Sequence, residues 1–130
     1  MAISRSAGYG MIAAGHIALH GNDGPVLASL ISEQYDIPLE YLLKIMQQLV
    51  RANVLRSKRG PRGGFNLARP AEEITMLEII EASGGPAWGY FEISGQANGA
   101  AYAEKMELVC KDAAEKVLEV LGKAKLADML

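Results

Sequence analysis

Apolar residues recur every three or four positions along much of this chain, a spacing that places side chains on one face of an α-helix. Helices are predicted at residues 5–20, 28–35, 38–52, 75–82 and about 99–128. Thr75 with Glu78 three residues later is a capping box that opens the fourth of these helices. Between the third and fourth helix, short apolar runs at 54–57 and 65–68 flank a Gly-containing loop, which predicts a β-hairpin. The pattern therefore predicts a mainly α fold with a small β-hairpin.

The predicted helix at 38–52 has two different faces. Its apolar stripe consists of Leu42, Ile45, Met46, Leu49 and Val50. The opposite face carries Glu40, Leu43, Lys44, Gln47 and Arg51. That face combines donors, acceptors and one apolar tip, which suits DNA base edges and phosphates. The competing interpretation is an ordinary solvated face with a Glu40–Lys44 pair.

The loop of the predicted hairpin is strongly basic. It contains Lys58, Arg59 and Arg62 together with Gly60, Gly63 and Gly64. A short helix, a tight turn, a second helix and a basic hairpin are the layout of a winged helix-turn-helix, whose wing lies along a DNA groove. We therefore predict a winged helix-turn-helix DNA-binding domain at residues 1–83.

The charge distribution supports a DNA-binding surface in the middle of the chain, whereas the net charge of only −2 does not. Residues 38–69 contain seven Lys or Arg against one Glu, whereas residues 70–130 contain five Lys against eleven acids. Such asymmetry favours a nucleic-acid surface in the centre and another role at the C-terminus. A cationic solvated face is the alternative.

The last predicted helix has an apolar stripe that so small a domain cannot cover. The stripe consists of Tyr102, Met106, Val109, Ala113, Val117 and Val120. Pairing with a second copy would bury it. We expect a dimerisation helix at residues 100–130, in a homodimer that sets two recognition helices about one DNA turn, roughly 34 Å, apart.

A Gly-rich loop at 84–99 precedes that helix and contains Trp88, Tyr90 and Phe91. These aromatic residues are expected either to pack on the core or to wall a pocket for a small effector or a protein partner at 85–99.

Two groups of residues raise the question of metal or redox chemistry. His16 and His20 share a helix face, but no acidic residue or Cys lies beside them in sequence to complete a metal site, so a structural role is favoured. Cys110 permits no internal disulfide, which is consistent with a reducing cytoplasm. It is interpreted as a structural thiol, with an intermolecular redox disulfide as the alternative. No apolar run is long enough for a membrane span.

Several motifs together resemble the Rrf-type family of bacterial winged helix-turn-helix transcription regulators. They are Gly24-Pro25-Val26, Tyr41-Leu42, Arg59-Gly60-Pro61-Arg62-Gly63-Gly64-Phe65, Leu67-Ala68-Arg69-Pro70 and Glu73-Ile74-Thr75. The resemblance implies a dimeric transcription factor in which residues 38–51, Tyr41 among them, enter the major groove. It also implies that Arg59 and its neighbours address the minor groove.

The chain departs from this family's pattern at a few positions. Cluster-binding members carry three cysteines in the loop before the long helix, and residues 85–99 contain none. We therefore expect no iron–sulfur cluster and no other cofactor. Asp36 replaces a turn Gly, Pro38 replaces a capping Ser, and Leu43 stands where cluster regulators often have an acidic base-reading residue. Asp adopts the left-handed conformation more readily than most residues, so we expect the turn to tolerate Asp36.

The sequence thus predicts a homodimeric DNA-binding regulator that represses from a pseudo-palindromic operator. Two alternatives remain: an interaction subunit that docks a metabolic enzyme, and a thiol-based sensor acting through Cys110. An enzyme is not expected, because no nucleophile–base pair, phosphate loop or metal spacing is present.

Overall fold

The computed structural model describes residues 3–87 and 92–130. Its helices are α1 (Arg5–His20), α2 (Ala28–Tyr35), α3 (Leu39–Arg51), α4 (Met76–Gly84), α5 (Ile93–Gln96) and α6 (Ala101–Lys123). Strands β1 (Leu55–Lys58) and β2 (Gly64–Leu67) pair antiparallel, with Leu55 opposite Leu67 and Lys58 opposite Gly64. Short 3₁₀ turns lie at Gly21–Asp23, Ala71–Glu73 and Leu126–Met129. The mainly α fold with one small hairpin and a long C-terminal helix is confirmed. Among the helices described, none is both long and apolar enough to cross a membrane.

The core lies where α1, α3 and α4 meet. Its fully buried side chains include Ile17, Leu42, Met46, Leu49 and Ile79. Burying each such side chain contributes about 1.5–3 kcal/mol. α1 and α4 approach closely because Gly10 faces the buried Ser83, whose hydroxyl donates to the carbonyl of Ile79 at 2.6 Å.

The start of α4 follows its local sequence signature. Thr75 Oγ1 accepts from the backbone N–H of Glu78 at 3.1 Å, and the Glu78 carboxylate accepts from the backbone N–H of Thr75 at 2.9 Å. This reciprocal capping box satisfies two orphan donors. Arg69 also donates to Glu78, at 2.7 Å, which ties the end of the hairpin to α4. The helix runs on to Gly84, slightly beyond its predicted end.

The hairpin strands lie one residue away from their predicted positions. Val54 was expected to open the first strand, but its N–H donates to the carbonyl of Leu49 at 3.0 Å and so belongs to the turn that ends α3. Asn53 in that turn has a positive φ of 60°. β1 therefore begins at Leu55 and β2 at Gly64.

The long helix was wrongly predicted to continue to about Asp128. α6 ends at Lys123, and the chain then returns to the core. Ala124 accepts from the N–H of Met76 at 2.9 Å, and the N–H of Leu126 donates to Ile74 at 2.8 Å. Leu126 is only 3% exposed. α6 therefore ends because the residues after it form hydrogen bonds with Ile74 and Met76 instead of continuing the helix.

Two apolar residues of the first two helices lie outside the core. Ile12 in α1 is 38% exposed, while Ala7, Ala13, Ala14 and Ile17 of the same helix are buried. Leu30 in α2 is 54% exposed, unlike its neighbour Ile31. The small residues of α1 are buried instead because they allow close helix packing.

The predicted Gly-rich loop contains the short helix α5. Ser94 Oγ donates to Glu107 Oε2 at 2.8 Å, which fastens α5 to α6. Trp88, Tyr90 and Phe91, predicted either to pack or to line a pocket, lie outside the described residues.

Candidate nucleic-acid interface

The turn between α2 and α3 sets the direction of the candidate recognition helix. Asp36 takes the left-handed conformation, with φ 54° and ψ 51°. Asp is among the few non-Gly residues that visit this region routinely, so the expectation that the turn tolerates Asp36 is confirmed. Pro38 occupies the N-cap of α3 and provides no side-chain cap hydrogen bond.

α3 is strongly amphipathic, as predicted. Leu42, Ile45, Met46 and Leu49 are buried, and the exposed residues on the opposite face are Glu40, Leu43, Lys44, Gln47 and Arg51. Within the parts of the chain that the structure describes, neither Glu40 nor Lys44 takes part in an ion pair. The polar groups of this face are therefore available to a ligand.

Tyr41 lies on the flank of α3, beside α1. Its ring makes an edge-to-face contact with Tyr9, with ring centroids 5.6 Å apart and an interplanar angle of 90°. The side chain is 43% exposed. Tyr41 therefore borders the polar face, while Glu40 and Lys44 lie within it.

The hairpin forms a narrow basic projection, here called the wing (residues 55–67). Its tip is closed by a hydrogen bond from the N–H of Gly63 to the carbonyl of Gly60 at 2.9 Å. A Cβ at Gly63 would overlap the carbonyl oxygen of Lys58, so a side chain at this position would open the turn. Lys58, Arg59 and Arg62 are exposed around the tip.

The cations of the central segment fall into two groups. Lys44, Arg51, Arg56, Lys58, Arg59 and Arg62 are exposed, and the described residues contain no acidic partner for them within 4.0 Å. Arg69 was counted with this group in the sequence, but its guanidinium pairs with Glu78. Arg56 lines a hollow with Asn22 and Asn66, away from α3.

An apolar hollow of about 340 Å³ separates α3 from the wing. Leu39 and Leu43 line it from α3, Leu27 lines it from the residue before α2, and Lys58 and Gly60 line it from the wing. Sequence reasoning placed Leu43 at the interface but missed Leu27 and Leu39. Leu27 could have been recognised from its position, because it is an apolar residue directly before the first helix of the predicted helix-turn-helix.

The apolar stripe of α6 is largely uncovered. Tyr102, Met106, Val109 and Val120 are 61%, 54%, 70% and 68% exposed, Ala113 is exposed, and Val117 is half-buried. The buried residues of this helix, Ala103 and Ala114, lie on a neighbouring face. The expectation that one chain cannot cover the stripe is confirmed. Cys110 is half-buried on the same helix.

His16 takes part in a small aromatic cluster. Its Nδ1 lies 3.0 Å from Tyr35 Oη, and its ring centroid lies 4.4 Å from that of His20. Burial lowers the pKa of His16, and the nearby His20 lowers it further. Across residues 3–87 and 92–130, no three His, Cys, Asp or Glu side chains are grouped to hold a metal ion. His16 thus joins α1 to the end of α2.

Sequence comparison matches residues 3–130 with the model of the Rrf2 family, described as an iron-dependent transcriptional regulator. The HTH-type transcriptional regulator IscR of Cereibacter sphaeroides is 43% identical over 84 residues, which is 63% of this chain and 54% of the relative. IscR of Photorhabdus laumondii is 37% identical over 82 residues, 63% of this chain and 50% of the relative. The chain thus spans about half the length of the curated relatives that it matches.

Solved structures share the fold over nearly the whole chain. IscR of T. potens superposes with a TM-score of 0.71 at 28% identity, covering 99% of this chain and 85% of that one. The global cysteine regulator CymR of B. subtilis superposes with a TM-score of 0.77 at 24% identity, covering 99% and 95%. The winged helix-turn-helix followed by a long helix is therefore the architecture of known regulators.

Proposed function

Because the chain belongs to the Rrf2 family of transcriptional regulators, we propose that it binds double-stranded DNA as a homodimer and represses transcription from a pseudo-palindromic operator. The observation that carries this proposal is the juxtaposition of α3 and the wing. Leu39 and Leu43 of α3 line the same hollow as Lys58 and Gly60 of the wing. The polar face of α3 and the cationic tip therefore address one duplex together.

The two elements have different roles in the proposal. Lys58, Arg59 and Arg62 contact phosphates and the minor groove, so they supply affinity that falls as salt rises. Glu40, Lys44, Gln47 and Arg51 reach base edges in the major groove and supply sequence preference. Tyr41 contributes from the flank of α3. Gly60 at the wing tip has open space around it and allows the backbone to approach the duplex closely, whereas Gly63 and Gly64 keep the wing backbone in the conformation that presents the tip.

The uncovered stripe of α6 supports dimerisation. Its apolar residues are exposed over several turns, and exposed apolar patches on this scale commonly mark protein–protein interfaces. A two-fold axis through the paired helices would set two copies of α3 about one DNA turn, roughly 34 Å, apart. A dimer of this kind recognises two inverted half-sites.

The available donors do not fit an iron–sulfur cluster. Such clusters are held chiefly by Cys thiolates, and the chain has one Cys. Cys110 is half-buried within α6, and no metal-holding group of three donors exists among the residues described. We infer that this member regulates without a cluster, although the family as a whole is described as iron-dependent.

Two alternatives from the sequence stay predictions. One is a partner-controlled interaction subunit that docks a metabolic enzyme, with a protein partner or small effector bound at the 85–99 loop. The other is a thiol-based sensor acting through a redox disulfide of Cys110.

A charge-matched pair of variants tests the proposal. Arg59→Ala removes a cation at the wing tip. Arg56→Ala removes a cation of the hairpin that lines a separate cavity with Asn22, away from α3. Binding of a duplex selected by the wild-type chain is measured by fluorescence anisotropy across a salt series. Arg59→Ala is expected to weaken binding and to reduce the salt slope by about 0.9 per lost phosphate contact. Arg56→Ala should retain both. Equal binding by Arg59→Ala and wild type would contradict the wing assignment.

A further inference from the structure

The hollow between α3 and the wing is apolar although exposed cations neighbour its lining residues along α3 and the wing. Leu27, Leu39 and Leu43 are 50%, 40% and 37% exposed there. The buried Phe65 contributes to its lining, and Lys58 stands at its rim. Phosphate binding is served by donors and charges, so three partly exposed leucines are not explained by backbone contacts.

The surroundings of the hollow limit what occupies it. Lys44 follows Leu43 on α3, and Arg59 and Arg62 follow Lys58 along the wing, all of them exposed. A polyanion is attracted to exposed cations beside the hollow, whereas an apolar protein segment gains nothing from them. In the major groove of DNA, the apolar group offered to a protein is the C5-methyl of thymine.

We propose that Leu27, Leu39 and Leu43 form a pocket for a thymine methyl group, so that each half-site carries a specified thymine beside the N-terminal half of α3. The inference rests on the proposed function and deepens it. Leu39 and Leu43 are then specificity-determining residues. They act by contact with the methyl group, while the charges around them fix the protein on the phosphates.

Deletion of single methyl groups from the DNA tests this pocket without altering the protein. In a duplex selected by the full chain, each thymine is replaced in turn by deoxyuridine, which keeps base pairing and removes only the methyl. Affinity is measured by fluorescence anisotropy at constant salt. One thymine in each half-site is expected to show about four-fold weaker binding on loss of its methyl. Unchanged affinity at every position would overturn the pocket while leaving the proposed function intact.

Protein variants assign the effect to the hollow. In Leu43→Ala, the deoxyuridine penalty at the sensitive position is expected to disappear. In the control Leu30→Ala, which alters an exposed leucine of α2 outside the hollow, the penalty should persist. A penalty that is retained in Leu43→Ala would overturn the assignment to this pocket. Failure of wild type to select or bind any duplex would instead contradict the proposed function itself.

Discussion

Val26 and Phe65 exchange two backbone hydrogen bonds across the junction between the helix-turn-helix and the wing. The N–H of Val26 donates to Phe65 at 2.9 Å, and the N–H of Phe65 donates to Val26 at 2.8 Å. Val26 lies just before α2, and Phe65 lies in β2. These backbone hydrogen bonds therefore set the orientation of the wing relative to α3, and with it the position of the exposed charges at the wing tip.

Gly64 is expected to be essential to this junction. Its φ is +144°, and a Cβ placed there would lie 2.7 Å from the carbonyl oxygen of Val26. Gly64→Ala therefore combines backbone strain with a contact that must shift, and we expect a loss of about 1–3 kcal/mol in the free energy of unfolding. Urea denaturation followed by circular dichroism measures it. Gly8→Ala is the control, because a Cβ at this helical position meets nothing within 4 Å. The control should be neutral or stabilising, and equal stability of Gly64→Ala and wild type would contradict the strain.

The assembly state should depend on one face of α6. Val109 and Leu108 are adjacent and similarly exposed, at 70% and 64%, but helical geometry points them about 100° apart. Val109→Asp places a charge in the proposed interface and is expected to weaken the dimer by about 100-fold. Sedimentation velocity over a concentration series measures the shift. Leu108→Asp should remain dimeric. The assigned face is wrong if the two variants dissociate equally.

Stability in acid should depend on Glu78. Burial raises the pKa of this carboxyl, but hydrogen bonds from Thr75 and Arg69 outweigh it, and the net pKa lies below its ordinary value of 4.5. A lowered folded pKa contributes stability above the unfolded value, and this contribution is lost as pH falls through the folded value. Chemical denaturation between about pH 6 and 3 should therefore show a shallower decline in Glu78→Gln than in wild type. Exchange of the exposed Glu72 for Gln is the control. An unchanged slope in Glu78→Gln would refute the linkage.

The features that sequence reasoning predicted well are those determined by neighbouring residues. The Thr75–Glu78 capping box involves residues three positions apart, and the stripe of α3 follows from its 3.6-residue period. The tolerance of Asp36 for a left-handed turn is likewise a property of a single residue. Features of this kind depend only on residues close together in sequence, so they can be predicted without knowledge of the fold.

The features that were missed depend on distant contacts. The end of α6 is set by hydrogen bonds between its C-terminal extension and Ile74 and Met76 near the start of α4. The loss of Arg69 from the cationic surface follows from its pairing with Glu78. The hollow that includes Leu27 exists because the wing folds back beside α2. None of these contacts can be derived from a local pattern.

Selection of duplexes from a random-sequence pool by the purified full chain tests most directly whether α3 and the wing read DNA. Two inverted half-sites about one helical turn apart are expected to be enriched and to be bound with an affinity that falls steeply as salt rises. The wing variant Arg59→Ala should recover the same sequence with weaker binding. Failure to enrich any sequence, even at low salt, would contradict the assignment of α3 and the wing as a DNA-reading surface.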